Sequence, residues 1–271
     1  MSSDFLTKDI VYISSADRTS GTTSDFTIDI SGYVRTPNDY DYATLLNFSC
    51  PKSYYLINDR NNTFTLTEDK TVSTITIPNG NYDVTSMKTQ LVASLSGHSY
   101  TYAITYSRSL NKYTFTVSGN STQPIFDFSN SELYLIIGFE PQQYQFVVNT
   151  LSSENTCFMQ LTNSILLCCD FVRGNILSSI VPNVSDFSYI TYEENNPSFA
   201  SHDLIRNDLL SARFYLLSAI TREPIDLNGI DYTFSFAIYQ RNKYFHTMID
   251  DKKIQLQIEE LQAQHDALVN K

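Results

Sequence analysis

The chain has 271 residues, enough to bury a sizeable core as one large domain or two small ones. Only 17% of it is charged and the net charge is −11, which argues against nucleic-acid binding, a role that needs clustered Lys and Arg. No apolar run approaches the ~18 residues of a membrane span, and the polar start MSSDFLTKDI lacks a signal peptide's apolar segment, so no membrane span and no secretion are expected.

Tyr (19) and Phe (17) are abundant and Trp is absent, a composition that favours strands with Asn- and Ser-rich turns between them. Residues 1–8 are expected as a loose arm. Strands are predicted over 9–14, 26–30 and 42–50, with a polar loop around Gly21, a loop at 35–40 containing Pro37, and a stop at Pro51. Strands over 63–67 and 72–77 lead to the turn Pro78-Asn79-Gly80-Asn81. Over 83–95 the spacing becomes helical: Val84, Met87, Leu91 and Leu95 share a face, with Asp83 as N-cap and Gly97 as stop. Strands at 100–106 and 112–117 complete a β-β-α-β-β elaboration or inserted subdomain over 62–118.

Further on, 133–139 (LYLIIGF) and 145–148 read as extended, and 157–161 and 165–171 as another pair. A strand at 187–192 and the polar loop EENNPS follow. Residues 212–240 then read as a closing antiparallel pair. In its second half Tyr232, Phe234, Phe236 and Ile238 share one face, as expected for a strand with a buried aromatic side. In its first half Phe214, Leu216 and Ser218 oppose Tyr215, Leu217 and Ala219. Glu223-Pro224 and Asn228-Gly229 supply turns, with φ > 0 expected at Gly229. Turn-rich strand spacing with one modest helix predicts an all-β antiparallel sandwich or barrel, without deciding which. From Asp250 onward no Gly or Pro occurs, and Ile254, Ile258, Leu261, His265 and Leu268 form a heptad seam. Such a short helix needs a partner surface, either its own domain or another chain.

No chemistry-bearing constellation stands out. His98, His202, His246 and His265 are scattered, and the motifs HExxH, CxxC, GxSxG, GxGxxG and GxxxxGK[ST] are absent from the sequence. Cys50, Cys157, Cys168 and Cys169 are expected as buried thiols. The acidic pairs Glu193-Glu194, Asp250-Asp251 and Glu259-Glu260 read as solvated charge. The chain is therefore expected to be no enzyme, with no catalytic, cofactor-binding or metal residues and no cofactor.

Several stretches, in order, resemble the penton proteins of virophages, Polinton-like viruses and some large eukaryotic DNA viruses. They are IVYISSADRTSGTTSDFTIDI at 10–30, TITIPNGNYDVTSMKTQL at 74–91 with its I-P-x-G-x-Y turn, SILLCCDF at 164–171, SARFYLLSA at 211–219, and PIDLNGIDYTFSFAI at 224–238. The resemblance runs to about Gln240 and leaves out the heptad tail. It implies a single jelly roll, two antiparallel sheets face to face, over 1–245; the heptad spacing, not the resemblance, adds a C-terminal helix over 246–271. It also implies a homopentamer at the fivefold vertices of an icosahedral double-stranded DNA virus, bordered by major capsid proteins and by minor ones where the shell has them. Such a protein would be assembled inside the host cell, without direct contact to nucleic acid. Two alternatives stand beside it: a capsid spike or attachment module that binds a receptor or glycan, and a non-viral carbohydrate-binding sandwich.

Because the heptad seam takes no part in strand pairing on this reading, a chain cut after Tyr244 should still fold. Its circular dichroism and melting curve should match those of the full chain. Loss of soluble folded protein would instead put the helix inside the fold.

Overall fold

The computed structural model describes residues 5–34, 40–160, 162–197, 200–206, 209–241 and the isolated positions 255, 257 and 258. The chain opens with β1 (Phe5–Ser14), β2 (Ser20–Gly21), β3 (Asp25–Asp29) and β4 (Tyr42–Pro51). Next come β5 (Thr63–Glu68), β6 (Thr71–Thr76), helix α1 (Val84–Leu95), β7 (Thr101–Ser107), β8 (Lys112–Ser118), β9 (Ile125–Asp127), helix α2 (Leu133–Ile137), β10 (Gln143–Gln145) and β11 (Thr150–Ser152). The last six strands are β12 (Ile165–Cys169), β13 (Ile176–Ile180), β14 (Tyr189–Glu193), β15 (His202–Asp203), β16 (Ser211–Ser218) and β17 (Thr233–Arg241).

Two antiparallel sheets face each other. One has the order β1-β17-β4-β14, with the short β15 also paired to β4; the other has the order β13-β12-β16-β3-β2. Without the two-residue strands and the segment between β4 and β12, eight strands remain. Numbered along the chain, they read 1-8-3-6 in one sheet and 5-4-7-2 in the other. That is the order of a jelly roll, two interleaved Greek keys. The choice between sandwich types that strand spacing left open is settled by this topology.

The core between the sheets follows from strand alternation. Val11 and Ile13 of β1, Phe26 and Ile28 of β3, Ala212, Phe214 and Leu216 of β16, and Phe234, Phe236 and Ile238 of β17 are all buried in one cluster. Phe234 and Phe236 therefore lie inside, as their alternation predicts. Strand β4 keeps its apolar side inward past a register shift opposite Ser235 and Phe236. Leu46 is the extra residue there, and both Leu45 and Phe48 stay buried.

The expected closing hairpin is not formed. Strand β16 pairs with β12 and β3, whereas β17 pairs with β1 and β4, so the two lie in opposite sheets. Both are central strands whose edges are occupied, and both carry large rings on one face. Those faces meet across the core: the Phe214 and Phe234 rings are 4.8 Å apart, edge to face. The connection over 219–232 crosses between the sheets. Asn228 and Gly229 still turn the chain there with φ of 53° and 78°, the Ile230 amide donating to the Leu227 carbonyl.

Three further expectations change. LYLIIGF is a short helix, α2, because an isolated apolar run does not distinguish a buried helix from a strand. Gly138, at φ 82°, caps it in the left-handed region, where its amide donates to the Tyr134 carbonyl. Residues 157–160 form no strand; the Phe158 amide binds Ile136, and the pairing edges of β12 are taken by β13 and β16. Finally, Phe5–Lys8 belong to the ten-residue β1 and not to a loose arm. The loop expected at 35–40 lies outside the described residues except for Tyr40. The heptad tail does too, save that Gln255, Gln257 and Ile258 are helical.

The segment between β4 and β12 has a hydrophobic cluster of its own, running from Ile57 to Cys157. It holds two small sheets, ordered β10-β9-β5-β6 and β11-β8-β7. Helix α1 buries Met87, Leu91 and Leu95 against them. Its start is set by a capping box: the Asp83 carboxylate accepts the Thr85 and Ser86 amides while the Ser86 hydroxyl accepts the Asp83 amide. Phe126 sits at the centre, in ring contact with Phe64, Tyr102, Phe115, Phe128 and Phe146. The buried Glu68 carboxylate accepts the Ser99 and Tyr100 amides and the Tyr102 hydroxyl, which meets the cost of its desolvation.

Phe214→Ala and Phe234→Ala should each lower stability in urea by about 3–5 kcal/mol through lost burial and a residual cavity. The double variant should depart from additivity by at least ~0.5 kcal/mol, because the rings share one contact. Strict additivity would separate them.

Candidate assembly surfaces

Four connections of the jelly roll gather at one end: 15–24, the long segment between β4 and β12, 181–188 and 219–232. They are tied together by polar side chains. Ser15 Oγ donates to Asp231 at 2.7 Å, and Arg18 reaches the same carboxylate at 2.9 Å. Ser53 Oγ donates to the Leu227 carbonyl at 2.7 Å, and Asn228 Nδ2 donates to the Ser53 carbonyl at 2.6 Å. Lys52 pairs with Asp186 at 2.9 Å, and Arg60 pairs with Glu223. These pairs are partly exposed, so their role is to set loop geometry more than to add stability.

Between this end and the segment linking β4 to β12 lies an open cleft of about 1280 Å³, whose walls include Tyr55, Asn58, Asn81, Tyr82, Asp186 and Ile225. Most of the asparagine capacity there is spent on the loop itself. Asn81 accepts the Leu56 amide and donates to the Tyr54 carbonyl, while Asn61 accepts the Asn58 amide and donates to the Leu56 carbonyl.

All four cysteines are buried. Burial pushes the thiols of Cys50 and Cys169 up to about 12 and that of Cys168 to about 11, and raises that of Cys157 as well. At neutral pH they hold their protons and are poor nucleophiles. Burial lowers the pKa of His202. His98 lies in the turn between α1 and β7, and His246 and His265 lie outside the described residues. Glu194 accepts the Tyr192 hydroxyl and the Asn196 amide, which hold its carboxylate below the usual range; Asp250-Asp251 and Glu259-Glu260 lie outside the described residues. Among the described residues, no group of three or more His, Cys, Asp or Glu is placed to hold a metal.

What the structure adds is a set of exposed apolar side chains that periodicity did not single out. Ile10 and Tyr12 project from β1, Phe187 from the loop just before β14, Tyr189 from the start of β14, and Val147 and Val148 from the tip between β10 and β11. Phe187 and Val148 also have left-handed backbones, at φ of 62° and 48°. A bulky or β-branched residue in that region is rare, and no turn signature such as Asn-Gly marks it in the sequence.

Native protein should react slowly with a thiol reagent such as Ellman's at pH 8, and four thiols should appear once it is unfolded. Fast reaction of any thiol in the native state would show that this thiol is open to solvent and not buried.

No protein-family model matches the chain, and no curated protein matches it. Among solved structures it is similar to the mavirus penton protein, at 9% identity and a TM-score of 0.46, with 86% of this chain and 99% of that chain covered. It is also similar to a chain of the Sputnik virophage structure, at 12% identity and a TM-score of 0.39, with 86% and 98% covered.

Proposed function

We propose that this chain is a structural capsid protein, a penton that closes as a homopentamer at the fivefold vertices of an icosahedral double-stranded DNA virus. The observation that carries this reading is where the penton-like stretches fall. They run through β1 and β3, the turn into α1, and β12, β16 and β17, so that all but one fall, in chain order, on places one, two, four, seven and eight of one eight-stranded jelly roll. The remaining stretch lies in the segment between β4 and β12. With its separate hydrophobic cluster, that segment is an inserted unit projecting from one end of the roll, either outward from the shell or towards it.

A closed ring needs a heterologous contact, in which two different sides of one protomer meet. With a net charge of −11, copies of this chain repel one another over long range, so apolar contacts must hold the ring. Its neighbours would be major capsid proteins, with minor capsid proteins where the shell has them, and its place the virion. The reading assigns it no catalysis. A second role in the same setting, attachment to a receptor or glycan, would use the open cleft that Tyr55 and Tyr82 help to line.

The mass and symmetry of the purified protein test the proposal, together with vertex density in the particle. Five copies are expected, with little weakening on adding salt because screening acts on exposed charge. Threefold particles would favour the attachment module. A different protein at the vertex, with this one elsewhere in the shell, would end the penton reading.

A further inference from the structure

The pair Asn-Gly occurs twice in the chain, at Asn79-Gly80 and at Asn228-Gly229. It is the least hindered setting for one reaction of the asparagine side chain. The backbone nitrogen of the next residue attacks the side-chain carbonyl carbon Cγ, the new C–N bond closes a succinimide ring, and ammonia leaves. Water then opens the ring to aspartate or isoaspartate. Glycine permits this because it has no Cβ to crowd the attacking nitrogen and its backbone turns freely. In a folded protein the reaction waits on two freedoms: that nitrogen must be unbonded, and the turn must open locally.

The fold withholds both from Asn79. The Gly80 amide donates to the Ile57 carbonyl at 2.9 Å and the Ile57 amide donates to the Gly80 carbonyl at 3.0 Å, so Gly80 is half of an antiparallel bridge. The Asn79 side chain is held twice, its oxygen accepting from Asn62 Nδ2 at 3.1 Å and its nitrogen donating to Asp59 at 2.6 Å. The Tyr82 hydroxyl donates to the Pro78 carbonyl at 2.7 Å and closes the same turn. Opening it breaks the bridge and the side-chain bonds together.

Asn228 is placed differently. It and Gly229 are both exposed, and the space where a Cβ on Gly229 would stand is open. Among the described residues the Gly229 amide makes no hydrogen bond. The turn is closed by the Ile230 amide on the Leu227 carbonyl at 3.2 Å, the long end of the range for such a bond. The Asn228 amide donates to Asp226 at 2.8 Å, and its side chain has one tie, Nδ2 donating to the Ser53 carbonyl at 2.6 Å.

We propose that Asn228 is a site of spontaneous deamidation in the folded protein, that Asn79 is not, and that the conversion unties the crossing over 219–232 from the start of the β4–β5 connection. The nitrogen lost as ammonia is the one that donates to Ser53. A carboxylate carries only acceptors, so an acceptor then faces the Ser53 carbonyl where a bond had been. The new charge also stands beside Asp226, whose carboxylate already takes the Asn228 amide. Where the product is isoaspartate, the main chain gains a methylene inside the turn. Asn228 is also on the wall of the open cleft, so the modification changes the charge and the shape of that wall.

The test uses the full-length native chain, held in warm, mildly alkaline buffer beside a sample unfolded in urea. Both are digested, and the amide-to-acid change is followed at each Asn-Gly by peptide mass. Each native rate is divided by the rate of the same site in urea. That ratio should be at least ~10-fold higher for Asn228 than for Asn79, because it reports the cost of opening each turn. Equal ratios, or an Asn228 that stays intact in the native chain while it converts in urea, would overturn the assignment. Asn228→Asp, made directly, reads the consequence. Aspartate accepts the left-handed backbone as asparagine does, so the loss of the Ser53 tie is what the variant reports. Its melting temperature should fall by about 2–4 °C, and proteolysis within 219–232 should quicken. A variant unchanged in both would overturn the untying.

Discussion

The structure depends on a face-to-face contact between two aromatic strands. Phe214 of β16 and Phe234 of β17 meet across the space between the sheets, and Phe26, Phe171, Tyr232 and Phe236 complete the cluster around them. Rings of this size bury large areas and constrain one another's orientation. Once both strands turn their rings inward, each must sit in the middle of its sheet, because an edge strand would leave part of that aromatic face against water. The remaining strands then pair outward from these two, giving β12 and β3 on one side and β1 and β4 on the other.

This explains what could and could not be read from the sequence. The alternation of Tyr232, Phe234, Phe236 and Ile238 named the inward face correctly, since period-two patterning reports burial directly. The same pattern suggested a hairpin where there is a crossing, because alternation tells which face is buried and not which strand lies alongside. The helix α1 was legible to within a residue: its apolar spacing, N-cap Asp83 and stop Gly97 are local signals that tertiary packing had no reason to override. The run LYLIIGF was not, since Leu-Tyr-Leu-Ile-Ile is apolar at every position and so fits either period; only the burial of Leu133, Ile136 and Ile137 and the left-handed Gly138 show it as a helix.

The candidate surfaces were less legible still. Exposure of Tyr12, Phe187 and Tyr189 cannot be separated in sequence from the many buried rings on neighbouring strands. Each sits in an alternating run beside core residues, and only the final position of its strand in the sheet decides which face meets water. The left-handed backbone at Phe187 has no marker either. It is imposed from a distance by Lys52, more than a hundred positions earlier, and not by a glycine or asparagine in the loop itself.

The pairing of β1 with β17 has a consequence for how the chain is made. Ile13 lies opposite Phe234, so the first strand of the roll has no neighbour in its sheet until the last one exists. Contacts of that sequence separation form slowly, because the intervening loop must close before they give anything back. The segment between β4 and β12 is different: β5 pairs with β6 and β7 with β8 through short turns, and its cluster ends at Cys157. On the ribosome this unit is complete while the strands around it are still waiting for partners. Order of synthesis and order of assembly are thus inverted, with the interior piece finished first and the sequence-terminal strands joined last.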